Sequence, residues 1–137
     1  MMEHIAPYAH ALASLGGWAI LMVILLIASA FGTPRGRTES GHPVRDYSDP
    51  AYRRSRAFLN AIEISGPFIA ATLAAILVGA SPLLVNIFAS VFLASRVGMA
   101  IVHIATEIQP LRSAFWFVGL ICCLALAGMA IVGAFAL

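Results

Sequence analysis

Four apolar stretches, each about as long as a bilayer is thick, constrain this chain more than any other feature. A transmembrane helix needs about 20 consecutive, mostly apolar residues. The 137-residue sequence has such stretches at about residues 7–32, 50–80, 82–107 and 110–136. Only 10% of its residues are charged and its mean hydropathy is +0.96, whereas a soluble domain carries about 25% charged residues. The sequence therefore predicts an all-α, multi-pass integral membrane protein, with a single domain over residues 1–137.

The connections between the stretches predict how the helices are arranged. Residues 33–49 form the one substantial loop, rich in Gly, Pro, Ser and charged residues. Asp49 followed by Pro50 is typical of a helix start, because Asp caps the N-terminus and Pro fits the first turn. The breaks at Ser81-Pro82 and before Pro110 are short. Short connections make neighbouring helices antiparallel, so we expect an up-down four-helix bundle.

The distribution of arginine predicts the orientation in the membrane. The chain has eight arginines and no lysine, and six of the eight lie between Arg35 and Arg56. Because basic loops stay on the cytoplasmic side, residues 33–49 are expected in the cytoplasm and both termini in the periplasm. The Arg-only, Ala-rich composition is typical of a GC-rich bacterial genome and favours a bacterial inner membrane. We expect membrane lipids as partners, and no nucleic acid.

Two opposite charges, Glu63 and Arg96, lie deep in the second and third stretches. A charge in hydrocarbon costs from a few to more than about 10 kcal/mol, so it must be paired, hydrated or functional. Counted from Arg53 and from Glu107, each lies about 15 Å along its helix from the same side of the membrane. An unpaired buried charge would cost several kcal/mol more. We therefore expect an ion pair between Glu63 and Arg96.

Further polar residues share faces with this predicted pair. On the second helix they are spaced four, three and four residues apart, and on the third seven apart, so each set lies on one helix face. Guanidinium groups are always charged and make forked hydrogen bonds to carboxylate and phosphate. The pattern predicts a polar cleft, open to the cytoplasm, for an anion beside a lipophilic ligand. Its residues are Arg56, Asn60, Glu63 and Pro67 on helix two, Arg96 and His103 on helix three, and Arg112 and Ser113 at the start of helix four.

Other interpretations of these residues stay open. Buried polar side chains in membrane bundles can serve only as contacts between helices, and arginines near the interface can extend to headgroups. A small-ion or proton pathway could be built on Glu63 and His103. No metal site is expected, because His103 and Glu107 are four residues apart but no second His or Cys lies near them.

One segment resembles a known family signature. Arg56-Ala57-Phe58-Leu59-Asn60-Ala61-Ile62-Glu63, with Pro67 four residues further on, resembles the helix-two pattern R-x-x-x-N-x-x-E-x-x-x-P of the MAPEG family. Its members are the membrane-associated proteins in eicosanoid and glutathione metabolism, including microsomal glutathione transferases. Arg96-Val97, then His103, then Arg112-Ser113 are similar to the patterns of helices three and four in that family. The resemblance extends over nearly the whole chain.

The resemblance implies a homotrimer that binds glutathione as a co-substrate between subunits near the cytoplasmic face. By similarity, Arg56, Asn60 and Glu63 hold the peptide part of glutathione, and Arg96 supports Glu63 and a glutathione carboxylate. Arg112 and Ser113 lie near the sulfur and are the catalytic candidates. The implied activity is a membrane-bound glutathione-dependent transferase or peroxidase acting on lipophilic electrophiles or lipid hydroperoxides.

The sequence also departs from the family pattern. His103 occupies a helix-three position usually filled by Tyr, and we expect it to contact the ligand as a hydrogen-bond donor or by stacking. Phe58 replaces a His common in the eicosanoid enzymes, which argues against eicosanoid synthesis. The rival hypothesis is a non-enzymatic membrane subunit that serves assembly or lipid binding in a larger complex. Gly66, Ala70 and Ala74, at four-residue spacing, give helix two a close-packing face that fits either hypothesis.

Overall fold

Four helices in this chain are each long and apolar enough to cross a membrane. The structure, a computed structural model, describes residues 2–137. A single helical turn, Met2–Ile5, and a 3-10 turn, Ala6–Tyr8, lead into helix α1. The helices are α1 (Ala9–Ala30), α2 (Pro50–Leu77), α3 (Pro82–Ala105) and α4 (Gln109–Ala134). The described residues contain no strand, only one isolated bridge between Arg37 and Pro43 in the loop. The predicted all-α membrane bundle is confirmed.

Helix starts and turns follow the signals in the sequence. The Asp49 carboxylate accepts a hydrogen bond from the Ala51 N–H at 3.0 Å and so caps α2. Pro50 and Pro82 open α2 and α3 as their first residues, where a missing N–H costs nothing. The short turn from α2 to α3 contains Gly79 at φ +69°, a left-handed conformation that glycine adopts without strain.

Aromatic side chains fill the centre of the bundle. The rings of Phe68 and Phe92 stack with centroids 3.8 Å apart, and Trp18 meets both edge-on at 6.0 and 5.3 Å. All three side chains are fully buried. The Trp18 indole N–H donates to the Ser65 hydroxyl at 2.9 Å, which satisfies its one polar atom. Helix α1 packs on α2 and α3, while α2, α3 and α4 contact one another.

Hydrogen bonds attach the loop between α1 and α2 to the ends of three helices. The Arg35 backbone N–H donates to Asp49 at 2.7 Å, and the Arg54 side chain donates to the Phe31 carbonyl at the end of α1. Arg53 donates from Nη1 to the Tyr47 carbonyl at 2.7 Å and from Nε to the Ile104 carbonyl of α3 at 3.1 Å. These bonds hold the last residues of the loop beside the C-terminal end of α3.

Asp49 makes the loop attachment sensitive to acid. The donated N–H of Arg35, followed by that of Ala51, lowers the pKa of the buried Asp49 carboxyl below its ordinary value. A carboxylate with a lowered folded pKa stabilises the fold above its unfolded pKa, and this contribution is lost as the pH falls through the folded value. The contribution should therefore be lost progressively as the pH falls below about 4.

We predict that Asp49→Asn lowers the melting temperature of the detergent-solubilised protein at neutral pH. The amide oxygen still caps α2 but carries no charge. The difference from the wild type should shrink as the pH falls below about 4, because protonated Asp49 then resembles Asn. Circular dichroism melts over a pH series measure this. A difference that stays constant with pH would contradict the assignment.

Candidate functional site

A cleft of about 330 Å³ opens at the loop end of the bundle, between α2, α3 and α4. It is lined by Arg45 and Tyr47 from the loop, Arg56 and Asn60 from α2, Met99 and His103 from α3, and Gln109, Arg112, Ser113, Trp116 and Phe117 from α4. Helix periodicity explains the α4 wall, because positions three and four residues apart share a face. The cleft thus combines a cationic end with an aromatic end.

The structure brings five of the eight residues predicted for the cleft to this site. Those five are Arg56, Asn60, His103, Arg112 and Ser113. The other three, Glu63, Pro67 and Arg96, do not line it. Glu63 and Arg96 nevertheless contact residues that do, so they form a second layer around the cleft.

The predicted ion pair between Glu63 and Arg96 is wrong within the chain. Glu63 accepts instead from Arg56 Nη1 at 3.0 Å, and Arg96 Nη1 donates to the Asn60 side-chain oxygen at 3.0 Å. Helix geometry gives the reason. Arg56 and Glu63, seven residues apart, are offset by only about 20° around α2, whereas Asn60 and Glu63 are about 60° apart. Asn60 therefore faces Arg96, and Glu63 turns to the surface with 58% of its side chain exposed.

Arg96 lies inside the bundle with few partners for its five N–H groups. It is 4% exposed, its Nε and Nη2 atoms have no hydrogen-bond partner among the described residues, and its guanidinium lies 5.4 Å from the Phe92 ring centroid. Gly119 of α4 provides the space, since a Cβ there would lie 2.7 Å from Arg96 Nε. The small residue on α4 is thus what allows a guanidinium between α3 and α4.

A small internal cavity lies behind the cleft. It measures about 10 Å³ and is bordered by Trp18, Asn60, Arg96 and His103 together with apolar side chains. That volume is close to the space for one water molecule. Asn60, Met99 and His103 line both the cleft and the cavity, so they lie between the two.

Arg112 is the buried cation of the cleft lining. Its side chain is buried, its Nη1 atom has no hydrogen-bond partner, and no carboxylate of residues 2–137 pairs with it. The guanidinium carbon lies 4.0 Å from the centroid of the Tyr47 ring. A buried guanidinium with an aromatic contact but no counter-ion retains the full capacity to bind an anion.

Six residues of the cleft lining are not among the predicted site residues: Arg45 and Tyr47 from the loop, Met99 from α3, and Gln109, Trp116 and Phe117 from α4. The α4 residues follow from periodicity, because Trp116 and Phe117 lie four residues beyond Arg112 and Ser113. The sequence indicates the two loop residues only weakly. An aromatic residue among arginines next to a helix cap suggests that the loop folds over the end of the helix. The spacing of residues in a loop, however, does not predict the course of its backbone.

Metal ligands do not cluster in the part of the chain that the structure describes. No group of three His, Cys, Asp or Glu side chains there could hold a metal ion. The two cysteines, Cys122 and Cys123, are buried in α4 and form no disulfide. The polar side chains that line the cleft carry guanidinium, hydroxyl, amide and imidazole groups.

A sequence profile of the MAPEG family matches residues 8–132, nearly the whole chain. The chain belongs to the MAPEG family. This is a family of membrane proteins with glutathione-dependent transferase and peroxidase activities, and its members generally use glutathione as a substrate. A comparison with curated proteins gives no match. Family membership and the four apolar helices establish this MAPEG protein as an integral membrane protein.

We predict that Gly119→Ala destabilises this MAPEG protein by about 1–3 kcal/mol, the usual cost of overpacking a core. The added methyl group must displace the Arg96 guanidinium. Gly128→Ala is the matched control, since it also lies within α4 but has no atom within 4 Å of an added Cβ. The control should be neutral or slightly stabilising, because Ala favours a helix by about 1 kcal/mol over Gly. Unfolding in detergent measures both, and equal stabilities would contradict the packing of Arg96 on Gly119.

Proposed function

We propose that this protein is a membrane-bound, glutathione-dependent transferase or peroxidase that acts on lipophilic electrophiles or lipid hydroperoxides. One observation carries the proposal. The cleft lining holds three guanidinium groups, from Arg45, Arg56 and Arg112, and no carboxylate among its described residues. A cleft with such an excess of positive charge suits a small anion with several carboxylates, and glutathione has two. Family membership supports glutathione as the ligand.

The α2 wall of the cleft suits the peptide part of glutathione. Arg56 offers a guanidinium already oriented by Glu63, and such groups bind carboxylates through paired hydrogen bonds. Asn60 accepts from Arg96 with its side-chain oxygen, so its amide N–H groups remain free to donate into the cleft. We infer that Arg96 acts through Asn60, and that His103 contacts the ligand from α3.

The α4 end of the cleft suits the sulfur. The thiolate is the nucleophile, whereas a free thiol is mostly protonated at neutral pH. Arg112, without a carboxylate partner, and the Ser113 hydroxyl beside it would stabilise the thiolate through charge and a hydrogen bond. In a transfer reaction the sulfur bonds to an electrophilic carbon and the leaving group departs with its electron pair. In peroxide reduction two glutathione molecules form one disulfide, and the hydroperoxide yields an alcohol and water.

A lipophilic second substrate has a place next to the sulfur. Trp116 and Phe117 lie one turn along α4 from Arg112 and Ser113, with ring centroids 5.1 Å apart in an edge-to-face arrangement. Phe117 is 56% exposed and Trp116 is 37% exposed. Their rings extend the apolar surface of the membrane-spanning helix to the cationic end of the cleft. A molecule dissolved in the bilayer could therefore approach the thiolate without crossing water.

The exposed face of α2 supports a homotrimer. This face carries Leu59, Ile62, Glu63, Gly66 and Ala70, and Glu63 is a charged group on a surface that would otherwise meet lipid. A carboxylate facing hydrocarbon is costly, whereas another subunit could cover it. An added Cβ at Gly66 meets no atom within 4 Å, so the backbone of a second helix could approach closely there. We propose that three copies pack through this face.

The proposed setting is a bacterial inner membrane, with the loop and the cleft on the cytoplasmic side and both termini in the periplasm. The clustering of arginine at the loop end of the bundle supports this orientation. The cytoplasmic opening would give the cleft access to glutathione. Partner proteins in a larger membrane complex would bind to the remaining lipid-facing surfaces of the helices.

We predict saturable binding of glutathione to the detergent-solubilised protein by isothermal titration calorimetry, and glutathione-dependent turnover of a chlorodinitrobenzene or an organic hydroperoxide. Arg112→Ala should lower turnover by about 100-fold, the usual effect of losing one donor to a developing anion. Arg37→Ala is the control, because it removes the same charge from the loop outside the cleft lining. The absence of saturable heat with the wild-type protein would contradict the proposed function and favour a non-enzymatic membrane subunit.

We predict that the detergent-solubilised protein has the mass of three copies when measured by light scattering with the detergent contribution subtracted. Gly66→Leu should shift the population toward monomer, because the side chain blocks close approach of helices. Gly128→Leu adds the same side chain to an equally open position on α4. It should remain trimeric. A wild-type monomer, or equal dissociation of both variants, would overturn the assignment of this interface.

A further inference from the structure

The loop places one aromatic ring directly on the cation of the cleft. The Tyr47 ring centroid lies 4.0 Å from the guanidinium carbon of Arg112 and 5.5 Å from that of Arg45. Contacts within about 6 Å of a ring centroid are attractive, and more so where water is excluded. Arg112 is buried, so its contact with Tyr47 is the more sheltered of the two. Tyr47 is thus a direct neighbour of the residue proposed to stabilise the thiolate.

An aromatic ring holds a guanidinium differently from a carboxylate. A carboxylate would fix Arg112 in place but neutralise its charge and occupy its N–H groups. A ring contacts the face of the guanidinium and leaves the N–H groups at its edge available for another acceptor. Arg112 has no carboxylate partner among residues 2–137, and its Nη1 atom has no hydrogen bond. The Tyr47 ring is therefore the contact that orients Arg112 without reducing its charge.

Tyr47 is fixed by a hydrogen bond to its own carbonyl and by hydrogen bonds between its two neighbours in the chain. Its carbonyl accepts from Arg53 at 2.7 Å, and Arg53 also donates to Ile104 at the end of α3. On the loop side, the Asp46 carboxylate accepts from the Ser48 N–H at 3.0 Å and from the Ser48 hydroxyl at 2.6 Å. The ring is edge-on to Tyr52 with centroids 5.2 Å apart. A side chain fixed in this way can set the position of a neighbour.

We propose that Tyr47 is a positioning residue for Arg112, holding the guanidinium by its face so that its N–H groups remain free for the glutathione sulfur. This inference rests on the proposed function and adds to it a residue from outside the helices. It assigns the effect to the ring rather than to the phenol hydroxyl. It also makes the segment from Asp46 to Asp49 part of the site, because that segment places the ring.

The test compares three variants in the detergent-solubilised, full-length protein. Tyr47→Phe keeps the ring, Tyr47→Leu removes it, and Tyr47→Leu combined with Arg112→Ala shows whether the effect runs through Arg112. The readouts are the dissociation constant for glutathione, turnover as a function of pH, and the ultraviolet absorbance of the glutathione thiolate on binding. Size-exclusion elution and melting temperature of each variant show that it is folded.

We expect Tyr47→Phe to behave like the wild type. Tyr47→Leu should lower kcat by about tenfold, the loss of one sheltered cation–π contact. Its pH–rate profile and thiolate absorbance should move about one unit to higher pH, because a less well-placed cation stabilises the thiolate less. The dissociation constant should change less than kcat. In the Arg112→Ala background, Tyr47→Leu should cause no further loss.

Other outcomes overturn the inference in distinguishable ways. Wild-type turnover with an unchanged pH profile in Tyr47→Leu would remove Tyr47 from the site and leave the proposed function intact. Equal losses in Tyr47→Phe and Tyr47→Leu would assign the effect to the hydroxyl and refute the role of the ring. A further loss in the Arg112→Ala background would show that Tyr47 acts through the fold. No glutathione-dependent turnover in the wild type would overturn the proposed function and this inference together.

Discussion

Holding guanidinium groups within a membrane-spanning bundle is the constraint on which the rest of this structure depends. Because arginine stays charged, each buried one needs an acceptor, an aromatic face or a hydrated space. Arg96 has the oxygen of Asn60 and the ring of Phe92, in a space that Gly119 leaves open. Arg56 has Glu63. The Arg96 contacts tie α2, α3 and α4 together, whereas the aromatic packing of Trp18, Phe68 and Phe92 joins α1, α2 and α3.

The same constraint separates structural arginines from one available for chemistry. Arg56 and Arg96 each donate a hydrogen bond within the protein, to Glu63 and to Asn60 respectively. Arg112 does not, because its close contact is the face of the Tyr47 ring. The cleft therefore contains one oriented cation on α2, Arg56, and one unneutralised cation on α4, Arg112, next to Ser113 and two exposed aromatic rings. An anionic thiol with a peptide tail, reacting with a lipophilic partner, matches that order of groups.

Helix periodicity made most of the fold and much of the cleft predictable. The apolar stretches gave the four membrane helices, and the spacing of Arg56, Asn60 and His103 placed them on faces that meet. The predicted pairing of Glu63 with Arg96 was wrong, because an equal depth in the membrane does not fix the direction in which each side chain points around its helix. The offset of about 60° between Asn60 and Glu63 is enough to point Asn60 at Arg96 and Glu63 at the surface. The position of Tyr47 could not be predicted from the sequence for a different reason. Its position comes from the bonds that Arg53 and Asp46 make in three dimensions, which loop spacing does not encode.

The most direct test of this account is a cryo-electron microscopy map of the detergent-solubilised protein with glutathione. The account predicts three-fold symmetry and one elongated density in each cleft, with one end at Arg56 and Asn60 and the other within hydrogen-bond distance of Arg112 and Ser113. Clefts filled by lipid chains or closed by side chains, with glutathione bound elsewhere or absent at saturating concentration, would contradict it.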